Sequence, residues 1–211
     1  MKRRVLLADD HKLVLEAFRR LLEPQYEVVG TVSDGHALLE AAPLLHPDVV
    51  LLDVAMPLLN GLDAARQLKQ QMPKVKLVFL TMNPDPDLAT EAMRAGASAY
   101  LLKHCGTSEL FHAIEQALKA KSYVTKEIAR GMRESFIHDP RPKKHAKALT
   151  SRQRQVIQLL AEGKSMKEAA DVMKVKPRSV AFHKYTAMKA LGIKTNADIV
   201  QFAVKNNMVA G

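Results

Sequence analysis

Short apolar runs alternate, along the first half of the chain, with segments whose apolar residues recur every three or four positions. Four of these runs have the length and continuous apolar character of strands buried on both faces of a parallel sheet, and they lie at 4–8, 49–52, 76–80 and 99–102. A further strand is predicted at about Glu27–Gly30, and a helical pattern follows each strand. The order predicts an α/β fold, a doubly wound (βα)5 unit with a parallel sheet in the strand order 2-1-3-4-5.

Capping residues predict where two of these helices begin. Ser33 or Asp34 is expected to cap the second helix, and Thr107 the fifth, with Glu109 in its first turn. One more helix is predicted at 125–137.

Polar side chains stand where the apolar strands end. They are Asp9 and Asp10 after the first strand, Asp53 after the third, Thr81 after the fourth and Lys103 after the fifth. Because the carboxyl ends of parallel strands meet at one edge of the sheet, where ligands bind in such folds, we expect these side chains to converge. A single aspartate at a strand end is usually a cap or turn former, but five polar residues at four strand ends favour a functional site.

The grouped carboxylates predict a cation. Oxygen ligands suit Mg²⁺, and Asp10, Asp53 and the backbone carbonyl of Ala55 are the expected ligands. A carboxylate beside Mg²⁺ can attack a phosphoryl group and form an aspartyl phosphate, whose oxygens Lys103 and the hydroxyl of Thr81 would bind.

The excess of positive charge lies in the last third of the chain. Residues 140–211 carry 15 Lys and Arg against 4 Asp and Glu, whereas the preceding residues carry 17 against 18. This asymmetry predicts a polyanion-binding module behind a nearly neutral one.

Composition narrows the class of protein further. The single Cys105 excludes an intramolecular disulfide and a zinc finger. No run approaches the roughly 20 apolar residues of a membrane span, and the basic N-terminus leads into a short strand and two aspartates rather than a signal peptide. The expectation is a cytoplasmic protein with no membrane partner.

The basic region predicts four short helices without a strand. Thr150 with Gln153 and Ser165 with Glu168 are spaced as capping boxes. A third helix is expected from Pro177 to about Leu191, ended by Gly192, and a fourth from Thr195–Asn196 with Ile199, Val200, Ala203 and Val204 inside. The Pro-containing and basic stretch at 138–148 is a predicted linker.

The third helix of this region has two distinct faces. Its core stripe is expected to be Val180, His183, Ala187 and Leu191. The opposite stripe is Arg178, Phe182 (or Ala181), Tyr185 and Lys189, with Lys184 beside it. Two short helices joined by a tight turn in a basic unit predict a helix-turn-helix that binds DNA, although any amphipathic surface helix has a polar outer face.

The first part of the chain resembles the receiver domain of two-component response regulators, which has a flavodoxin-like fold. The features that carry the resemblance are Asp9-Asp10, Asp53 with Met56-Pro57, Asn60-Gly61, Thr81 and Tyr100 to Lys103. The resemblance implies a receiver at 1–121 in which a sensor histidine kinase phosphorylates Asp53. It also implies that Asp9 and Asp10 hold Mg²⁺ and that Thr81 and Tyr100 form a switch pair.

The last part resembles the LuxR-type DNA-binding domain of NarL-like regulators. The matching stretches are 149–156, 159–165, 167–170, 179–184 and 189–192. The resemblance implies an all-α domain at 149–211 with its helix-turn-helix at about 166–185, after an extra helix and linker at 122–148.

Together the two resemblances imply a DNA-binding response regulator, not an enzyme. Phosphorylation of Asp53 would control homodimerisation and binding of double-stranded DNA in the major groove, at two-fold related half-sites, to regulate transcription. The residues expected to contact DNA are Lys164, Lys167, Arg178, Ser179, Ala181, Phe182, Lys184, Tyr185 and Lys189.

Three alternatives stay open. Hydrolases of the haloacid-dehalogenase kind also place a nucleophilic aspartate after an apolar strand, but they typically need a second aspartate two residues on, where this chain has Ala55. The main alternative is a phosphorylation-independent DNA-binding regulator whose receiver serves only as a dimerisation module. RNA is a weaker partner, because no aromatic platform interleaves the basic residues.

Overall fold

The computed structural model describes residues 2–138 and 149–209, without the side chains of 135–138. The described residues form two compact units, one with a parallel sheet flanked by helices and one with helices alone. Most of the predicted linker, at 139–148, lies outside the described residues, and His138 ends a helix. Within the described ranges, none of the helices combines the length and the apolar character that crossing a membrane requires.

The sheet of the first unit contains six parallel strands. They are β1 Arg4–Ala8, β2 Glu27–Val32, β3 Val49–Asp53, β4 Lys76–Thr81, β5 Ala99–Leu102 and β6 Tyr123–Val124. The strand order is 2-1-3-4-5-6, so the predicted order of the first five strands is confirmed. All five residues of the central strand β3 are buried, as its continuous apolar run predicts.

The sequence pattern did not predict strand β6. It has only two half-buried residues, and it pairs with β5 through Ala99 with Tyr123 and Tyr100 with Val124. A strand this short has no apolar run or alternation that a pattern could reveal, so only the adjacent strand edge defines it.

Six helices accompany the sheet. They are α1 Lys12–Leu22, α2 Gly35–Leu45, α3 Gly61–Gln71, α4 Pro86–Arg94, α5 Thr107–Leu118 and α6 Lys126–His138. Asp34, one of the two predicted caps, caps α2 by accepting a hydrogen bond from the backbone N–H of Ala37. The predicted cap of α5 was wrong by one residue. Gly106 has the extended backbone of a cap, so Thr107 is already the first residue of the helix.

The second unit contains the four predicted helices. They are α7 Ser151–Ala161, α8 Met166–Val172, α9 Pro177–Leu191 and α10 Asn196–Lys205. Complete capping boxes start α7 at Thr150, α8 at Ser165 and α10 at Thr195. Helix α9 differs, because Lys176 occupies the cap position without a side-chain hydrogen bond, and Pro177 follows as the first helical residue.

The apolar core of this unit corrects the prediction for α10. Ile199 and Ala203 are buried and pack in the same cluster as Ile157 of α7. Val200 and Val204, predicted to lie inside, are each 41% exposed. One position along a helix is a rotation of about 100°, so residues adjacent to the packed stripe leave it when a helix is covered on one side only.

Candidate functional sites

The first site lies at the carboxyl edge of the sheet. Ala8 pairs with Leu52 and Asp53 pairs with Leu80, so the strand ends of β1, β3 and β4 are aligned. Thr81 pairs with Leu102 in the same way. The parallel register therefore brings the polar residues that end or directly follow these strands to one edge.

Lys103 joins two of the carboxylates. Its Nζ lies 2.7 Å from Asp9 Oδ2 and 2.7 Å from Asp53 Oδ2. The side chains are enclosed, with only 9% of Lys103, 7% of Asp9 and 6% of Asp53 exposed. Burial of charges is unfavourable unless they are paired, so this ammonium is what allows two carboxylates to face one another here.

Burial and pairing act in opposite directions on this cluster. Burial raises the pKa of Asp53, and its hydrogen bond with Lys103 opposes that shift. Burial acts to lower the pKa of Lys103, but its hydrogen bonds to Asp53 and Asp9 outweigh burial and the pKa is raised. The other oxygen of Asp53, Oδ1, accepts a hydrogen bond from the backbone N–H of Val54 at 2.6 Å.

A group of possible metal ligands extends this cluster toward solvent. Ligand atoms of Asp9, Asp10, His11 and Asp53 all lie within 4.8 Å of one another. Asp9 and Asp53 are buried, whereas Asp10 and His11 are exposed. The three carboxylates offer the oxygen donors that Mg²⁺ prefers, and the residues present fit this ion. Half-buried Ala55 stays a predicted carbonyl ligand.

His11 is the member of this group that sequence reasoning missed. Its Nδ1 lies 2.8 Å from Asp10 Oδ1 and 3.1 Å from Asp9 Oδ1. Its position directly after Asp9 and Asp10 could have identified it as a possible ligand. It was not predicted because only oxygen ligands were considered.

Thr81 and Tyr100 lie next to this cluster and are both buried. Thr81 Oγ1 accepts a hydrogen bond from the backbone N–H of Asn83 at 3.1 Å, and the hydroxyl of Tyr100 donates to the backbone carbonyl of Asn83 at 3.4 Å. Burial raises the pKa of Tyr100, and the charge of Asp85 raises it further. Met82, the residue directly after β4, is 66% exposed.

The second site is helix α9. Its inner face carries buried Val180, Ala187 and Met188, of which Met188 was missed because it lies beside the predicted stripe rather than on it. His183 and Leu191, the other residues of that stripe, are half-buried.

The outer face of α9 is open to solvent. Phe182 is 66% exposed and Tyr185 61% exposed, and Arg178 and Lys189 are also exposed. Ala181, the alternative to Phe182 on this face, is half-buried.

The remaining residues predicted to contact DNA border this face or lie on α8 and its start. Ser179 and Lys184 are half-buried. Lys184 Nζ donates to Asn196 Oδ1 at 2.9 Å and lies 5.6 Å from the ring centre of Tyr185. Lys164 is half-buried and Lys167 exposed.

Comparison with known families assigns both units. Residues 5–115 match the family described as the response regulator receiver domain. Residues 147–203 match the family described as bacterial regulatory proteins of the luxR family.

Individual relatives agree with this assignment along the whole chain. The transcriptional regulatory protein MctR of Rhizobium johnstonii is 31% identical over 99% of this chain and 96% of its own length. The response regulator GacA of Pseudomonas aeruginosa is 32% identical over 98% and 97%. A structure of two RcsB dimers bound to two parallel DNAs is 25% identical with a TM-score of 0.59, and the match covers 96% of this chain and 98% of that chain. The chain belongs to the response regulators that combine a receiver domain with a LuxR-type helix-turn-helix DNA-binding domain.

Proposed function

We propose that this protein is a transcription factor whose DNA binding and dimerisation are controlled by phosphorylation of Asp53 by a sensor histidine kinase. The observation that carries the proposal is the pairing of one buried ammonium, Lys103, with the carboxylates of Asp9 and Asp53. The ammonium opposes the effect of burial on the pKa of Asp53 and so favours the ionised, nucleophilic form of this carboxylate at an edge where a phosphoryl group can enter. In the proposed division of the chain, the receiver spans 1–121, a helix and linker 122–148, and the DNA-binding domain 149–211.

The proposed reaction is a transfer between two side chains. An oxygen of Asp53 attacks the phosphorus of a phosphohistidine on the kinase, so that an O–P bond forms as the N–P bond breaks. The imidazole nitrogen keeps the electron pair of the broken bond and takes up a proton from solvent. Mg²⁺, held by Asp9, Asp10 and Asp53, would neutralise the phosphoryl oxygens during transfer.

The switch is proposed to follow from the new charge. A phosphoryl group carries about two negative charges and several strong acceptor oxygens. Lys103 and the hydroxyl of Thr81 are its nearest proposed donors. Movement of Thr81 would disturb its hydrogen bond with Asn83, whose carbonyl also accepts from Tyr100, so the two switch residues share one loop.

The output is proposed to be sequence-specific binding of double-stranded DNA. Two copies of α9, related by a two-fold axis, would enter adjacent turns of the major groove. RcsB binds DNA as dimers, which supports this arrangement. The proposed base-contacting face carries Phe182 and Tyr185, and the proposed phosphate contacts come from the surrounding lysines and Arg178. A regulator of this kind would act in the cytoplasm and turn over no external substrate.

Selection from random duplex DNA tests switch and output together. The full-length protein is incubated with the DNA pool and Mg²⁺, with and without a small-molecule phosphodonor, and Asp53→Asn is run in parallel. The expected result is enrichment of a two-fold symmetric motif by the phosphorylated wild type alone. Equal enrichment in all samples would replace the proposal with a constitutive DNA binder whose receiver only dimerises. A response of Asp53→Asn to the phosphodonor would refute the assignment of the phosphoacceptor.

A further inference from the structure

We infer that His11 is a nitrogen ligand of the metal site and raises the affinity of that site for transition-metal divalent ions such as Mn²⁺ relative to Mg²⁺. The inference deepens the proposed function, because it rests on the metal site at Asp9, Asp10 and Asp53. It concerns a residue to which the oxygen-based ligand set gives no role.

The backbone fixes His11 over the acidic pair. His11 is the cap residue of α1, with extended backbone angles, and its side chain makes no capping hydrogen bond. Its backbone N–H donates instead to Asp9 Oδ1 at 3.0 Å. The side chain is 63% exposed, yet its Nδ1 faces the carboxylates of Asp9 and Asp10 rather than solvent.

Lys103 and His11 lie on different sides of the carboxylate cluster. Lys103 already contacts Asp9 and Asp53 through their Oδ2 atoms, on the enclosed side of the cluster. The donors on the open side are Asp10 and His11, which are both exposed. A cation that arrives from solvent therefore meets one carboxylate and one imidazole before the oxygens shared with Lys103.

The type of donor decides the preferred ion. Mg²⁺ is a hard cation that favours oxygen ligands and retains several waters. Mn²⁺ shares the preference of Mg²⁺ for carboxylate oxygen, but as the first member of the transition-ion affinity series it also accepts imidazole nitrogen. His11 would then contribute to Mn²⁺ the lone pair of Nδ1, the ring atom that faces the carboxylates of Asp9 and Asp10, whereas Mg²⁺ would be held by the carboxylate oxygens alone.

Electron paramagnetic resonance of Mn²⁺ bound to the full-length protein tests this assignment. Wild type, His11→Asn and His104→Asn are compared. His104 is the matched control, because it is exposed and directly follows Lys103 at the same sheet edge but is outside the group of possible ligands. Wild type and His104→Asn should show spin-echo modulation from a directly bound imidazole ¹⁴N, and His11→Asn should lack it. In wild type grown with ¹⁵N-histidine, the ¹⁴N pattern should disappear, which gives a readout that needs no substitution.

The affinities supply a second, independent readout. The ratio of Mn²⁺ to Mg²⁺ affinity should fall about tenfold in His11→Asn and stay unchanged in His104→Asn. Absence of nitrogen modulation in the wild type, or its persistence in His11→Asn, would overturn the inference. Phosphodonor labelling of Asp53 in Mg²⁺ is measured on the same samples. Labelling without nitrogen modulation refutes only the role of His11, and nitrogen modulation without labelling refutes only the proposed phosphorylation.

Discussion

The carboxyl edge of the sheet and the outer face of α9 contrast in how their side chains are held. At the edge, Asp9, Asp53 and Lys103 are enclosed, and each charge has a partner at 2.7 Å. On α9, Phe182 and Tyr185 are more than half exposed. A buried ion pair is part of the folded core, so a substitution there changes stability and chemistry together. A substitution on an open helix face should change affinity for a partner and leave the fold intact.

The largest effect is expected from Lys103→Met. Removal of the ammonium leaves two buried carboxylates facing one another, and the free energy of unfolding should fall by about 3 kcal/mol. Mg²⁺ should restore more stability in this variant than in the wild type, because it replaces the lost cation. Urea unfolding with and without Mg²⁺ measures both effects.

A matched control for this variant is Lys119→Met. Lys119 pairs with Glu115 at 3.5 Å, and both side chains are more than half exposed. Its loss should cost less than about 0.5 kcal/mol. If the two lysine variants unfold at the same urea concentration, the edge is no more dependent on its ion pair than the surface is.

The next largest effects are expected on α9, where an exposed residue and a buried residue of the same helix can be compared. Phe182→Ala should weaken specific DNA binding about tenfold, because the proposed apolar contact of this ring with base edges would be lost. Its free energy of unfolding should change by less than about 0.5 kcal/mol. Met188→Ala, on the buried face of the same helix, should destabilise the protein by about 2 kcal/mol or more. Fluorescence anisotropy with the selected duplex and urea unfolding separate the two. If Phe182→Ala lost as much stability as Met188→Ala, Phe182 would be a packing residue.

A smaller effect is expected at the starts of the helices. Thr150→Ala removes the side-chain oxygen that accepts from the N–H of Gln153, and should cost about 1 kcal/mol. Lys176→Ser adds such an oxygen before α9, where the backbone already has extended cap geometry, and should stabilise by about 0.5 kcal/mol. In thermal unfolding, the midpoint temperature should fall in Thr150→Ala and rise in Lys176→Ser. A destabilised Lys176→Ser would mean that the lysine has another role at that position.

The smallest effect concerns pH. The hydrogen bonds of Ser165 with Glu168 lower the pKa of Glu168 from its ordinary value of 4.5. A folded-state pKa below the unfolded value adds stability above the unfolded pKa, and this stability is lost as pH falls through the lowered value. Glu168→Gln keeps the capping geometry without the charge, so the wild type should lose stability relative to it below about pH 4.5. Amide hydrogen exchange in α8, compared between the proteins at each pH, detects the difference. If the difference in exchange rate between the two proteins did not change as the pH fell, titration of Glu168 would be excluded as its cause.

The way in which a side chain is held also determines whether its position could be predicted from the sequence. An apolar strand that ends in a polar residue fixes both the strand and the position of that residue, so the convergence of Asp53 and Lys103 follows from order alone. The ring of His11 was not predictable in this way, because its orientation depends on two carboxylates and a backbone turn. Helical periodicity identified the exposed side of α9, but it could not separate Val200 and Val204 from the packed stripe of α10, since both lie next to it.

The capping boxes at Thr150, Ser165 and Thr195 have a consequence for the order of folding. They are satisfied by residues three positions apart, so α7, α8 and α10 can begin to form from local contacts. The sheet needs distant contacts, such as Val5 with Val49, before its central strands are paired. Local contacts generally form faster than distant parallel pairing. The helical unit is therefore expected to reach its native structure first, and the time that a new chain spends incompletely folded should be set by assembly of the sheet.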